Sequence, residues 1–166
     1  ILERMLIQIG TTLEKAKQNN VHSGGAQYLL KNIDYKFWEK VQKDAVNIRY
    51  YFQNVNKFFF ESEDKGIQSW CADLWAVQFN LWYFNKESKI AKELDFAWAT
   101  DPIIKLNTYP ILHNAGIVSE TGNGYPAFYK GKYHMGSDPT KDPNLDLIFN
   151  DEKSKKYCTW FYATKL

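Results

Sequence analysis

The run Ser69 to Phe84, SWCADLWAVQFNLWYF, constrains the fold more than any other stretch, because it packs three Trp, two Phe and one Tyr around a single charged residue, Asp73. Trp70, Leu74, Val77, Leu81 and Phe84 recur at helical spacing, while Cys71, Trp75, Phe79 and Trp82 cover a second side. A helix apolar around most of its circumference is expected to be buried. Ser69 is the expected N-cap, and Asp73 then sits where free backbone N–H groups and the helix dipole favour a carboxylate. Asp73 and Asn80, seven residues apart, fall within about 20° of one face. A buried ionised carboxylate needs compensation, so Asp73 is the first candidate functional residue.

All five prolines lie after residue 100. The front of the chain is therefore helix-permissive, and the back reads as short strands and loops. A chain of 166 residues suits one domain with one core. The aromatic fraction of 17% is high and suits a carbohydrate partner, a planar ring or a bulky core. A net charge of +2 excludes the strong basic field of a nucleic-acid binder. Cys71 and Cys158 are too few for a disulfide framework and match no zinc spacing, which favours a reducing, cytoplasmic setting. With no N-terminal charged-then-apolar signal and no run of 18 apolar residues in this sequence, neither export nor a membrane span is expected.

Leu2, Leu6, Ile9 and Leu13 give a weak helical pattern interrupted by Gly10. Asp34 is placed to cap a clear amphipathic helix with Phe37, Val41, Ala45, Ile48, Phe52 and Val55 inside and Lys36, Lys40, Lys43 and Asn47 outside. Asn85 to Ser88 closes the aromatic helix. Lys89 to Leu94 reads as a brief strand, and Asp95 to Pro102 as extended chain and turn. Tyr109 to Leu112 reads as an edge strand delivering His113 at its end, where side chains commonly meet ligands in α/β proteins. Tyr125 to Tyr133 reads as a strand and turn, and Tyr157 to Tyr162 as a terminal strand or helix end.

Each polar candidate has a structural reading beside the functional one. Gly24 and Gly25 permit a tight turn or a close ligand approach. Asp73 is a structural acid or a reactive one, and Asp101, before Pro102, suits turn chemistry. His113 is a satisfied buried imidazole or a neutral metal ligand, with Asn114 and Gly116 leaving room for a phosphate. Lys130 is a surface lysine or a phosphate contact. His22 and His134 have no neighbours that single them out.

The order of these pieces resembles the second half of a nucleotide-sugar glycosyltransferase of the GT-A fold. GGAQ at Gly24 to Gln27 and WCAD at Trp70 to Asp73 resemble the glycine turn and acidic helix start of the blood-group A/B-type galactosyltransferases. HNAG at His113 to Gly116 and YKG at Tyr129 to Gly131 resemble the metal-binding and phosphate-contacting segments of retaining galactosyltransferases. The resemblance implies an α/β fold, a mixed sheet with packed helices, in a single domain or the C-terminal portion of a longer enzyme. It implies sugar transfer from a UDP-linked donor to a hydroxyl acceptor, with Mn²⁺ or Mg²⁺ offsetting charge on the leaving diphosphate. In that scheme Asp73 is catalytic and His113 holds the metal. Gly24, Gly25, Gln27, Trp70, Trp98, Asn114, Gly116 and Lys130 bind substrate. Such enzymes carry an Asp-x-Asp metal motif, which this chain lacks; Asn144-Leu145-Asp146 is the nearest approach. The alternatives are a non-catalytic carbohydrate-binding or interaction module using exposed aromatics, and a hydrolase pairing Asp73 with Asp95 or Asp101.

Overall fold

The structure, a computed structural model, describes residues 1–19, 25, 27–60, 65–133 and 137–166, and the chain divides into two compact units, Ile1–Ile90 and Ala91–Leu166.

The first unit is helical. Helix α1 (Leu2–Ile9) buries Met5, Leu6 and Ile9. Gly10, at φ +87°, ends it: the Gly10 N–H donates to the Ile7 carbonyl at 3.0 Å and the Thr11 N–H to the Leu6 carbonyl at 2.9 Å. These are the paired bonds of a left-handed helix terminus. Thr12 then caps α2 (Leu13–Gln18), its hydroxyl accepting the Lys15 N–H. The long helix α3 (Tyr35–Phe59) starts where the sequence predicts, with Asp34 Oδ1 accepting the Phe37 N–H at 3.2 Å. Phe37, Val41, Ile48, Phe52 and Val55 are buried, and Ala45 packs against the same core.

The aromatic run forms α4 (Ala72–Tyr83) behind a 3₁₀ turn at Ser69–Cys71. Ser69 does not cap it; Cys71 stands at the N-cap and no side chain accepts there. Asn85, at φ +52°, terminates α4 in the same manner as Gly10 ends α1, through Asn85 N–H to Trp82 O and Lys86 N–H to Leu81 O. Ring pairs Phe37–Phe84 and Phe52–Trp75 join the start of α3 to the end of α4 and the later part of α3 to its start, so the two helices run antiparallel.

Burial along α4 is uneven. Ala76 to Trp82 are all buried, but Trp70 is 73% exposed and Asp73 is exposed as well. The expectation that Asp73 is a compensated buried acid therefore fails. Seven residues advance a helix about 10 Å, enough to carry one angular face from the covered end to the open end. The buried acid is instead Asp44 on α3. Its Oδ2 accepts from Asn80 Nδ2 at 2.8 Å and from Lys40 Nζ at 2.7 Å, and Lys40 also donates to the Ile9 carbonyl. Lys40, expected outside, is thus half-buried where α1, α3 and α4 meet.

The second unit holds less regular structure. Strands β1 (Phe96–Trp98) and β2 (Ile111–His113) pair in parallel with Phe96 opposite Ile111 and Trp98 opposite His113. The connection between them contains a 3₁₀ turn at Ile103–Asn107. Helices α5 (Leu145–Asn150) and α6 (Cys158–Ala163) follow. The Thr159 N–H donates to the Ala99 carbonyl and the Cys158 N–H to the Asp101 carbonyl, which fixes the start of α6 on the loop leaving β1.

The chain is thus helical with a small parallel sheet, α/β in this coarse sense; among the described residues the expected mixed sheet is a two-stranded parallel one. Lys89 to Leu94 is not a strand but ends in a 3₁₀ turn at Lys92–Leu94. Tyr125 to Tyr133 is not one either. Pro126 has no N–H to give a ladder, the Ala127 N–H goes to the Glu120 carbonyl, and the Phe128 N–H goes to the Thr159 hydroxyl. Buried apolar residues form one cluster in the first unit and two in the second, around Ala99–Tyr125 and around Phe128–Ile148.

Candidate functional site

Phe96 and Trp98 alternate with buried Ala97, so the period of two puts both rings on one face of β1. The register brings His113 of β2 opposite Trp98, and the three rings meet: Phe96–Trp98 at 5.0 Å, Phe96–His113 at 5.0 Å and Trp98–His113 at 5.2 Å. Trp98 remains 44% exposed. It borders an open groove of about 330 Å³ lined by Asp95, Phe96, Trp98, Asp101, Lys105 and Tyr109, a volume at the small end of the range for ligand sites.

The rim is electrostatically ordered. Asp101 Oδ2 accepts the Trp98 N–H at 2.9 Å and Oδ1 accepts from Lys105 Nζ at 2.9 Å. Burial alone raises the Asp101 carboxyl, but these two donors outweigh it and hold its pKa below the usual value. Asp101 is therefore an ionised structural acid that orients the loop after β1, as its place before Pro102 suggests. The Lys105 ammonium is held on the same carboxylate, which raises its pKa.

His113 is half-buried, and its pKa is lowered first by burial and then by the charge of Lys130. Both effects favour the neutral imidazole. Two aromatic rings pack on it, and among the described residues no three His, Cys, Asp or Glu side chains gather as a metal site. Asn114 follows with both amide atoms buried and without a hydrogen-bond partner. Gly116, at φ +84°, turns the chain past Thr100, whose methyl lies 3.5 Å from where a glycine Cβ would stand. Lys130 and Gly131 are both exposed, and the Tyr129 ring stands where a Gly131 side chain would begin.

The structure therefore brings Trp98 and His113 into contact and sets Lys130 near enough to act on His113. Asn114 and Gly116 belong to the same unit, whereas Gly25, Gln27, Trp70 and Asp73 belong to the first. Gly24, like His22 and His134, lies outside the described residues. Gly25 is exposed, with open space where a side chain would stand. Gln27 is half-buried, and Asp73 acts on the neighbouring Tyr28, whose phenol is raised first by burial and then by that carboxylate.

Sequence reasoning missed Phe96, Lys105 and Tyr109 as groove residues. The signal for Phe96 was present in the Phe-x-Trp spacing; Lys105 and Tyr109 reach the groove only through the 3₁₀ connection. A second groove, of about 460 Å³ in the first unit, is lined by Gln8, Asn47, Tyr50, Tyr51 and Asn54. Asn47 and Asn54 are seven apart on α3 and share a face, a pattern legible in the sequence.

No protein-family model, no curated protein and no solved structure matches the chain, so its function is argued from the groove itself.

Proposed function

We propose that residues 91–166 bind a carbohydrate at the Trp98 groove without carrying out chemistry on it. The observation that carries this reading is the half-exposed Trp98 ring, in edge contact with Phe96 and His113 and bordered by carboxylates, a phenol and an ammonium. An indole fixed by its neighbours offers an apolar face at low entropic cost, while the polar rim supplies acceptors and donors for hydroxyls. Two carboxylates against one ammonium leave the groove negative, which disfavours a diphosphate and accommodates a neutral polyol.

The test is calorimetric titration of neutral oligosaccharides, of glucose-type and N-acetylglucosamine-type units. Binding is expected to survive a chelator and Asp73→Asn, and to weaken about tenfold or more in Trp98→Ala. Unchanged affinity in Trp98→Ala sinks the proposal.

The transferase reading that the resemblance implies draws support from the coupling of His113 to Lys130 within one unit. It requires metal ligands beyond the described residues and predicts that UDP with Mn²⁺ raises the melting temperature. No shift at millimolar ligand counts against it. No described helix is long and apolar enough to cross a membrane, and both cysteines are buried and free, which supports the cytoplasmic setting as part of the same proposal.

A further inference from the structure

The Trp98 groove has a sign as well as a shape, and the step taken from it rests on the reading of that groove as a sugar site. Three ionised side chains line it. Lys105 and Asp101 compensate each other at 2.9 Å, and the other oxygen of Asp101 is occupied by the Trp98 N–H. Asp95 remains. It is exposed, it stands on the turn just before β1, and its carboxylate enters no ion pair among the described residues. Lys92 and Glu93 before it are exposed and of opposite sign. Neither His113, across the sheet, nor Lys130, which acts on it, lines the groove.

A carboxylate without an ion pair among the described residues, lining one groove with Trp98, Phe96 and Tyr109, is the chemistry that recognises an organic cation, because ring quadrupole and carboxylate attract the same charge. We infer that the groove selects a sugar bearing a free, protonated amine over its acetylated or hydroxyl counterpart, with Asp95 receiving the ammonium and Trp98 the ring face. Acetylation removes the charge and leaves the ring, so it separates the two contributions.

Three trisaccharides test this: glucosamine, N-acetylglucosamine and glucose units of the same linkage, titrated by calorimetry at about pH 6, where an amine of this kind is protonated. The glucosamine trimer is expected to bind about 3- to 10-fold tighter than the other two. Asp95→Asn is expected to erase that difference, and an unchanged urea-unfolding midpoint shows that the variant is folded. Equal affinity for all three in the unaltered protein overturns the amine preference and leaves sugar binding standing. A preference that persists in Asp95→Asn arises elsewhere on the surface and overturns the assignment to this groove. Absence of binding by all three overturns both.

Discussion

Asp44 has its side chain 6% exposed and lies between the Lys40 ammonium and the Asn80 amide, itself fully buried. Lys40 has two further partners, the Ile9 carbonyl and the face of Tyr83 at 4.4 Å, so one cation links three helices. Removing the acid leaves an ammonium and an amide facing each other with no acceptor between them. Asp44→Ala is expected to destabilise the protein by about 3 kcal/mol, measured by urea unfolding, and Lys40→Met by less, because the aliphatic stem still packs on Tyr83. Equal and small effects would mean that water already reaches the network. Asp73 has none of these partners. At an exposed helix start it needs only solvent, and Asp73→Asn is expected to change stability by no more than about 0.5 kcal/mol. The sequence could not separate these acids, since periodicity reports the angle of a residue about the helix and not which stretch of that helix a neighbour covers.

At the level of elements, the turns are as determinate as the helices. Gly10 holds φ +87°, and a Cβ placed there would stand 2.9 Å from Tyr83 Cε2. Gly10→Ala therefore combines backbone strain with a clash, and a loss of about 1–2 kcal/mol is expected, read as a lowered urea midpoint with unchanged slope. Asp34→Ala is expected to cost about 1 kcal/mol through the lost cap on α3. Helix α3 was legible because Asp34, the apolar period and the absence of Gly and Pro agree. The body of α4 was legible as well, but not its start, since Ser69 is drawn into a 3₁₀ turn. In the second unit the Phe-x-Trp segment and the strand leading to His113 were readable, and their parallel pairing was not. Tyr125 to Tyr133 misled because a run of aromatics signals a strand only when its N–H groups have a ladder to join, and here they are taken by Glu120 and Thr159. The groove was half legible: Asp95, Trp98 and Asp101 were named, whereas Lys105 enters through a connection whose path no local pattern specifies.

Across the whole molecule, the carboxylates among the described residues that are held below their ordinary pKa values, Asp101, Asp138, Asp142 and Asp151, all belong to residues 91–166. Asp142 is the most buried of the ion-paired ones, with its side chain 5% exposed and Lys132 Nζ at 2.8 Å. Lys132 and the Tyr133 hydroxyl bring its pKa down to about 2. Tyr133 in turn is pushed up to about 12, by burial first and then by its bond to Asp142. A carboxyl whose folded pKa lies below its unfolded value near 4 stabilises the fold above that value, and the contribution disappears as pH falls through about 2. For Asp142 it is on the order of 2 kcal/mol. Asp142→Asn keeps the shape and removes the titration, so the stability difference between the unaltered protein and this variant, from urea unfolding followed by amide resonances of residues 91–166, is expected to be largest above pH ~5 and to vanish near pH ~2. A difference that stays constant over that range would mean that Asp142 acts through its hydrogen-bond geometry alone and that its charge is not what anchors Lys132 and Tyr133.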